Sequence, residues 1–248
     1  MRLTVFGGCG AWPAAGQACG GYLLERDGFR LLLDPGYAVL PRLLAVVDAA
    51  AVDAVVVSHG HPDHCADLNP LLRARALSDQ PPAPLPVFAP AGAVDAVLAL
   101  DSMRAMSSAV EPVPLADGDH VRVGPFDLTA ALLPHHVPNL GMRIGDGAAT
   151  LAYSGDAGPD PALVELARDA DLLLVEATYP DAVPDEDAGL LCSAVEAAEQ
   201  GAAAGARRIV LTHLWPGLAP AAFLAAAAST GATGVTVAAP GPAQPIGT

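Results

Sequence analysis

The chain of 248 residues contains no lysine, and its permanently cationic side chains are twelve arginines. Asp and Glu together number 27, which gives a formal net charge of −15 at pH 7. A surface this acidic repels polyanions and argues against a large nucleic-acid interface. A small phosphorylated substrate is still compatible with this charge, because a local pair of metal ions can outweigh the negative electrostatic potential of the whole protein.

Cysteine is scarce, and the four residues present (Cys9, Cys19, Cys65 and Cys192) form no CxxC pair. This pattern predicts neither a zinc ribbon nor a disulfide framework. No uninterrupted apolar run reaches the roughly 18 residues of a membrane span. The opening MRLTVFGG also lacks the basic and apolar regions of a signal peptide. We therefore expect a cytoplasmic protein without a membrane anchor.

Hydrophobic residues make up 52% of the chain and charged residues 16%, a balance that suits a folded domain with a sizeable core. Short runs rich in Leu and Val predict strands at 2–6, 21–25, 29–33, 54–58, 121–123, 126–132, 142–145, 149–153, 172–176, 208–212 and 235–237. Helical patterns lie between them at 39–48, 66–77, 91–100, 161–168, 193–204 and 219–229. The alternation suits two stacked sheets between helices. We expect one domain over 1–238 and a loose Pro/Gly tail at 239–248.

The strongest motif is the heptapeptide SHGHPDH, in which His59, His61, Asp63 and His64 directly follow the apolar strand predicted at 54–58. Imidazoles at this density suit Zn²⁺, and an adjacent carboxylate allows a second cation to bind nearby. The alternative is a surface histidine-rich turn that arose by chance. The fixed order of four specific residues disfavours that alternative.

Three more metal-competent residues follow predicted strands further along the chain. His135 comes after DLTAALLP, Asp156 comes after ATLAYSG, and His213 ends RIVLTH. A single residue of this kind would more often cap an element or form hydrogen bonds within the protein than bind a metal. Three such strand ends together predict ligands that converge on one site.

The combined motifs resemble the metallo-β-lactamase superfamily, and within it the ribonuclease Z-like branch. The segment HHVPNLGMRI at 135–144 and the EAT at 176–178 are similar to elements of that branch. The opening FGGCGAWP is similar to small bacterial members, including cyclic-nucleotide phosphodiesterases. The resemblance implies an α/β (α+β) fold, a four-layer αββα sandwich with the site at one edge between the sheets.

The resemblance also implies two divalent ions, Zn²⁺ with Mn²⁺ or Fe as alternatives, and a bridging hydroxide that attacks the substrate. Carried over by position, the ligands are His59, His61 and His135 for one ion and Asp63, His64 and His213 for the other, with Asp156 bridging. The leading function is therefore a phosphodiesterase acting on a small phosphodiester such as a cyclic nucleotide. Alternatives are a thioesterase or lactonase acting on a carbonyl substrate, and a catalytically weak metal-binding homologue. A homodimer is expected by analogy alone.

Five further assignments concern residues around the ligands. Asp63 is expected to act in catalysis as well as in metal binding, and Asp67 and Glu176 are acidic candidates for supporting it. Either of the last two could instead be a surface carboxylate. His136 and Arg143 are candidates for substrate binding, although Arg143 could instead pair with a structural carboxylate.

The chain departs from the family branch at two places. Leu191 stands where the branch has a histidine that pairs with the Glu of the EAT element and helps to protonate the leaving oxygen. Three interpretations stay open: another residue such as His136 substitutes, the leaving group needs little help, or the enzyme is weak. The tRNA-clamping insertion is also missing, because few residues separate His135 from Asp156.

Overall fold

Two mixed β-sheets pack face to face in the computed structural model, which describes residues 1–247, without the side chains of 104 and 105. The strands are β1 (Arg2–Gly7), β2 (Gly21–Arg26), β3 (Phe29–Leu33), β4 (Ala54–Val56), β5 (Leu85–Pro90), β6 (Val110–Leu115), β7 (His120–Val123), β8 (Phe126–Leu133), β9 (Asn139–Gly145), β10 (Thr150–Tyr153), β11 (Leu172–Glu176), β12 (Ile209–Thr212), β13 (Val235–Val237) and β14 (Gln244–Pro245). The helices are α1 (Leu40–Leu44), α2 (Pro62–Cys65), α3 (Leu68–Ala76), α4 (Asp95–Leu98), α5 (Arg104–Ser107), α6 (Pro161–Leu166), α7 (Ala194–Ala203) and α8 (Pro220–Ala228), with a 3-10 turn at Ala49–Ala51.

Each sheet joins an antiparallel half to a parallel half. The first sheet has the order β14-β1-β2-β3-β4-β5-β6, antiparallel from β14 to β3 and parallel from β3 to β6. The second has the order β7-β8-β9-β10-β11-β12-β13, antiparallel as far as β10 and parallel beyond it. Both sheets therefore carry parallel strands whose carboxyl ends can present loops at one edge.

Three apolar clusters hold the layers together. One lies between the sheets, where residues such as Leu31, Met142 and Leu174 are fully buried. A second lies between the first sheet and helices α1, α3 and α4, and a third between the second sheet and α6, α7 and α8. Helices therefore flank both sheets, which confirms the predicted four-layer αββα sandwich.

Local sequence explains how the strands begin and end. Asp27 and Gly28 both have positive φ, 51° and 86°, as a two-residue hairpin turn requires, and they connect β2 to β3. Strand β4 is buried along its length between two parallel neighbours, which explains its continuous apolar run.

The predicted strands are present with small changes at their ends, whereas several helices are shorter than predicted. The helix predicted at 39–48 spans Leu40–Leu44, that at 66–77 spans Leu68–Ala76, and that at 91–100 spans Asp95–Leu98. Apolar residues near these termini pack as loops, because helical periodicity in the sequence does not reveal where backbone hydrogen bonding stops.

The carboxyl-terminal tail differs from the expectation of a loose segment. Gln244 and Pro245 pair with the edge of β1, and Ile246 is buried in the cluster between the sheets. Burying an isoleucine and covering a free strand edge outweighs the flexibility expected from the Pro/Gly composition. Thr248 lies outside the described residues. Among the described helices, none is long and apolar enough to cross a bilayer.

Candidate metal centre

The seven predicted ligands lie at one edge of the sandwich, beyond the carboxyl ends of four strands. Strands β10, β11 and β12 run parallel, so Asp156, after β10, and His213, after β12, lie at the same edge on either side of β11. Strand β8 runs in the same direction as β10, because both are antiparallel to β9, and His135 follows it. The first sheet contributes the loop after β4, which carries the remaining four.

A short helix shapes the loop after β4. Pro62 occupies the first turn of α2, where its fixed φ suits the helix and its missing N–H is no loss. His61 precedes the helix in extended conformation, and Asp63 and His64 lie within it, both buried. The motif thus places His59 and His61 in one group of donor atoms and Asp63 and His64 in a second.

The first group of donor atoms comes from His59, His61, His135 and Asp156. His61 Nδ1 lies 3.1 Å from both His59 Nε2 and His135 Nε2. The Asp156 Oδ2 atom is 3.8 Å from each of the two Nε2 atoms. These four atoms lie within 4.8 Å of one another.

The second group comes from Asp63, His64, Asp156 and His213, all of them buried. His213 Nε2 is 3.1 Å from Asp63 Oδ2 and 3.0 Å from Asp156 Oδ2. His64 Nε2 is 3.5 Å from Asp63 Oδ2 and 3.2 Å from Asp156 Oδ1. Asp156 thus belongs to both groups, which is the arrangement of a bridging carboxylate.

Both groups fit metal ions. In a tetrahedral zinc site with ligand bonds of about 2.0–2.1 Å, neighbouring donor atoms are roughly 3.3 Å apart, close to the separations of 3.0–3.8 Å found here. His64 Nε2 and Asp156 Oδ1 are buried, and although they lie 3.2 Å apart, neither forms a hydrogen bond among the described residues. Buried polar atoms without partners are costly in free energy, and a bound cation would satisfy both.

A buried carboxylate behind the site orients two of the histidines. Asp34 Oδ2 accepts from His64 Nδ1 at 2.8 Å and from the hydroxyls of Ser58 and Tyr153, each at 2.6 Å. The Ser58 hydroxyl also lies 3.0 Å from His59 Nδ1. Because the Nδ1 atoms of His59 and His64 are engaged here, their Nε2 atoms are turned towards Asp156 and the site.

Two other histidines are fixed in the same way from the second sheet. His135 Nδ1 lies 3.1 Å from the Leu190 carbonyl, and His213 Nδ1 lies 2.8 Å from Thr178 Oγ1. The Thr178 hydroxyl donates to Glu176 Oε1 at 2.5 Å, so His213 Nδ1 donates to Thr178 and its Nε2 faces Asp63 and Asp156. Glu176 therefore supports the site through Thr178, and it is fully buried rather than a surface carboxylate.

The pKa shifts divide the site into two parts. Burial lowers the pKa values of His59, His61 and His135. Burial also acts to lower the pKa of His213, but Asp156 and Asp63 outweigh it and raise that pKa to about 10. The first group thus favours neutral imidazoles, the form that binds metals.

The carboxylates of the second group stay ionised. Burial acts to raise the pKa of Asp63, but His64 and His213 lower it more, and the same balance lowers the pKa of Asp156. For Glu176, burial and the nearby Asp156 raise the pKa to about 8. Two buried ionised carboxylates create a strongly negative potential, which attracts cations.

Asp34 is the residue that the sequence reasoning missed. It ends the apolar run LLLD after β3, and its φ is +45°, an uncommon conformation outside glycine. A carboxylate directly after a fully buried strand is the signal that could have found it, because such a group needs several hydrogen-bond donors.

Asp67, expected to support catalysis, and Arg143, expected to bind substrate or a structural carboxylate, form hydrogen bonds with backbone groups. Asp67 Oδ2 accepts from the Leu40 N–H at 2.7 Å and so positions the start of α1. Asp67 contributes no atom to either donor group. Arg143 Nη1 donates to the carbonyls of Leu166 and Arg168, both at 2.9 Å, and therefore connects the end of α6 to the second sheet.

His136 and Leu191 lie beside the site. The His136 side chain is exposed, its ring centroid is 5.2 Å from that of His135, and its Nε2 is 3.3 Å from Asp187 Oδ1. Leu191 is buried, and the next residue, Cys192, donates its N–H to Glu176 Oε1. An apolar side chain therefore occupies the position at which the family branch has its extra histidine.

Close backbone approach explains two glycines. A Cβ on Gly10 would lie 2.7 Å from ring atoms of His213, so glycine at this position lets the backbone pass close to that ring. Gly155 has a φ of +58°, and a Cβ there would lie 2.2 Å from Asn139 Oδ1. Only glycine lets the chain turn at this point and present Asp156 to both groups.

The sequence model of the family described as Beta-lactamase superfamily domain matches residues 29–214. The probable metallo-hydrolase YhfI of Bacillus subtilis is 33% identical over 217 residues, which cover 86% of this chain and 87% of that protein. A crystal structure of YhfI has a TM-score of 0.88 at 30% identity and covers 98% of both chains. A ribonuclease Z of Kineococcus radiotolerans is 32% identical over 261 residues, 86% of this chain and 82% of that protein. Human tRNase Z, short form, has a TM-score of 0.78 at 22% identity over 100% of both chains, a likeness that concerns the fold alone.

Proposed function

The chain belongs to the β-lactamase superfamily of metallo-hydrolases, and from that membership we propose that it hydrolyses a small phosphodiester, such as a cyclic nucleotide, with two divalent ions. The observation that carries the proposal is the pair of four-residue donor groups that share Asp156. A single structural ion would need only one such group.

Two bound cations, Zn²⁺ or Mn²⁺, would activate water near neutral pH and stabilise negative charge that develops on the substrate. The protein holds the donor atoms in place for them. Asp63 Oδ2 accepts from the Ala11 N–H at 2.8 Å, which fixes its carboxylate between His64 and His213. The buried hydrogen bonds of Asp34 and Thr178 keep the imidazoles from rotating. A site held this rigidly loses little energy to reorganisation during the reaction.

Two features favour a small phosphodiester over a large one. The net charge of −15 disfavours a long polyanion, whereas a single phosphate needs only the local positive charge of the ions. The chain between His135 and Asp156 forms β9, β10 and tight connections, which leaves no arm to hold an RNA. Leu191 provides no proton donor, so substrates whose leaving group has a low pKa should react fastest.

The test is turnover by purified protein loaded with Zn²⁺ or Mn²⁺. We expect hydrolysis of bis(p-nitrophenyl) phosphate and of cyclic AMP, and much slower hydrolysis of an acyl thioester. The chromogenic diester should be the faster of the two, because its aryl oxide leaves without protonation. Turnover of the thioester alone would overturn the proposal and favour a carbonyl substrate.

Asp156→Asn tests the sharing of one carboxylate between two ions. The variant should bind fewer than two ions and lose more than about a hundredfold in turnover, because both groups lose a charged ligand. Asp181→Asn, an exposed carboxylate outside the site, is the matched control. Metal content measured by mass spectrometry and turnover of the chromogenic diester give the result. Full metal content with full activity in Asp156→Asn would contradict a bridging role.

A further inference from the structure

Both tryptophans of the chain lie in one cluster, although aromatic residues make up only 4% of the sequence. The rings of Trp12 and Trp215 meet edge to face, with centroids 5.1 Å apart and an interplanar angle of 81°. Tyr179 stacks on Trp215 with centroids 5.7 Å apart and an angle of 19°. We call Trp12, Trp215 and Tyr179 the aromatic shelf.

The shelf adjoins the metal centre through the backbone of all three of its segments. Ala11, next to Trp12, donates its N–H to Asp63 Oδ2 at 2.8 Å. Trp215 follows His213 by two positions, and its N–H donates to the carbonyl of Thr178, the residue before Tyr179. That last hydrogen bond is 3.2 Å long. The three rings are therefore anchored to residues that hold or support the second donor group.

Trp12 is not used to fill the core. Its side chain is 46% exposed, although full burial of a large aromatic ring stabilises a protein by about 2 kcal/mol or more. Ring contacts with Trp215 hold it in this exposed position at the edge of the site. An exposed aromatic surface beside a reaction centre is suited to contact a planar ligand.

Polar side-chain contacts connect the shelf to the neighbourhood of the other donor group. The Tyr179 hydroxyl donates to Asp187 Oδ2 at 2.8 Å, and Asp187 Oδ1 lies 3.3 Å from His136 Nε2. One connected set of side chains thus runs along the site from Trp12, near Asp63, to His136, near His135. A ligand whose phosphate lies at the ions would have the aromatic shelf at one end of this set of side chains and His136 at the other.

We propose that the aromatic shelf binds the planar base of a nucleotide-type phosphodiester, an inference that rests on the proposed function. Stacking on an aromatic ring contributes about 1–3 kcal/mol per base and requires no positive charge. It therefore suits a chain with no lysine and a net charge of −15, because stacking on the base needs no surface cation. The shelf makes the base, and not only the phosphate, a determinant of specificity.

Intrinsic fluorescence tests binding without turnover, because both tryptophans of the chain belong to the shelf. In the Zn²⁺-loaded protein, adenosine 5′-monophosphate should change tryptophan emission in a saturable way, and ribose 5-phosphate should bind without that change. Trp12→Ala should weaken adenosine 5′-monophosphate binding about tenfold, equivalent to about 1.4 kcal/mol. Trp12→Phe should retain most of the affinity. Leu224→Ala, an exposed residue of α8, is the control.

Kinetics provide the second readout. The ratio of kcat/KM for cyclic AMP to that for the base-free 3′,5′-cyclic phosphate of methyl riboside should fall about tenfold in Trp12→Ala. Turnover of the base-free compound should stay unchanged, because the shelf does not contact the phosphate. Equal kcat/KM values for both compounds in the unmodified protein, or an unchanged ratio in Trp12→Ala, would overturn the inference.

The two readouts separate this inference from the proposed function. Saturable, Trp12-dependent binding of adenosine 5′-monophosphate without turnover of any phosphodiester would support the shelf and contradict the proposed reaction. Turnover of phosphodiesters with no preference for a base would support the reaction and contradict the shelf. Tight binding of single-stranded RNA, with no binding of adenosine 5′-monophosphate, would also contradict a small nucleotide as the ligand.

Discussion

At the scale of single residues, the metal centre depends on side chains that never contact an ion. Asp34 accepts hydrogen bonds from the Ser58 N–H and hydroxyl, from Tyr153 and from His64. These donors compensate for burying a carboxylate and leave His64 with one orientation. Glu176 serves a comparable purpose for His213 through the Thr178 hydroxyl.

Asp34→Asn should weaken binding of one ion while preserving the fold. Asparagine tolerates the positive φ at this position, so the backbone needs no change. The side-chain amide, however, has only one acceptor oxygen, whereas the hydrogen-bond donors around Asp34 use both carboxylate oxygens. The Nδ1 atom of His64 also loses its anionic partner. We expect about a 10- to 100-fold loss of affinity for the weaker-bound ion, measured by competition with a fluorescent chelator.

Asp48→Asn, an exposed carboxylate, is the matched control for that experiment. Circular dichroism should show both variants folded. Unchanged affinity for both ions in a folded Asp34→Asn protein would show that Asp34 supports packing and not the metal centre.

At the scale of elements, strand ends decide where the chemistry lies. Strand β4 is short and fully buried, and the helix α2 begins at Pro62 six residues after it ends. The connection between them carries the first histidines of the site. Parallel strands β10, β11 and β12 present Asp156, Glu176 and His213 at the same edge. Regular elements thus fix the positions from which irregular connections project the ligands.

The terminal strand β14 adds an element that stabilises the sandwich far from the ligands. Ile246→Ala removes a side chain that is 3% exposed and packed between the sheets. It should lower the free energy of unfolding by about 2–4 kcal/mol, measured by urea denaturation. Metal content should be unchanged. Leu224→Ala, at 38% exposure, should change the free energy by less than about 1 kcal/mol. Equal stability of the Ile246→Ala and unmodified proteins would mean that the tail is not docked in solution.

At the scale of the whole molecule, the metal centre joins the two sheets. The loop after β4 belongs to the first sheet, whereas His135, Asp156 and His213 extend from the second. A bound ion therefore adds a connection between halves of the molecule that also contact each other through apolar side chains and through hydrogen bonds such as that of Tyr153 to Asp34. Ligands that bind the folded state alone stabilise it according to their concentration and affinity.

Zn²⁺ should raise the midpoint temperature of unfolding relative to chelator-treated protein. At a free Zn²⁺ concentration of 1,000 times its Kd, the stabilisation should be about 4 kcal/mol. The difference should grow with pH. Without metal, His213 has a pKa raised from 6.5 to about 10, so its contribution is full below pH 6.5 and lost as the pH rises towards 10. The affinity for metal ions rises with pH, because protons compete with the metal for the same ligand atoms. Calorimetry at pH 6 and pH 8 measures both trends, and a larger metal effect at pH 6 would contradict the assignment of these donors.

Net charge provides a prediction about nucleic acids. At −15, the protein should not bind precursor tRNA at 150 mM salt or cleave it at a rate comparable with small diesters. Filter binding and gel assays, with a tRNA-processing ribonuclease Z as positive control, measure this. Submicromolar tRNA binding at that salt concentration would show that the arginines form a local basic surface despite the overall charge.

The sequence by itself determined the class of protein, most of the strands and the ligand types. Apolar runs of strand length, each followed by a histidine or aspartate, predicted strand ends at a metal site because buried strands and metal-binding side chains have recognisable compositions. The two-residue turn at Asp27 and Gly28 was equally local, since it depends only on backbone conformations that neighbouring residues allow.

The tertiary structure alone decided which polar residues support the site. Asp67 and Arg143 had suitable chemistry but hydrogen-bond to backbone groups elsewhere, whereas Asp34 lies behind His64 although 30 positions separate them. The shelf likewise joins Trp12 to Trp215 across most of the chain. Such pairs depend on how the two sheets pack, and packing arises from many weak apolar contacts that no local pattern of residues encodes.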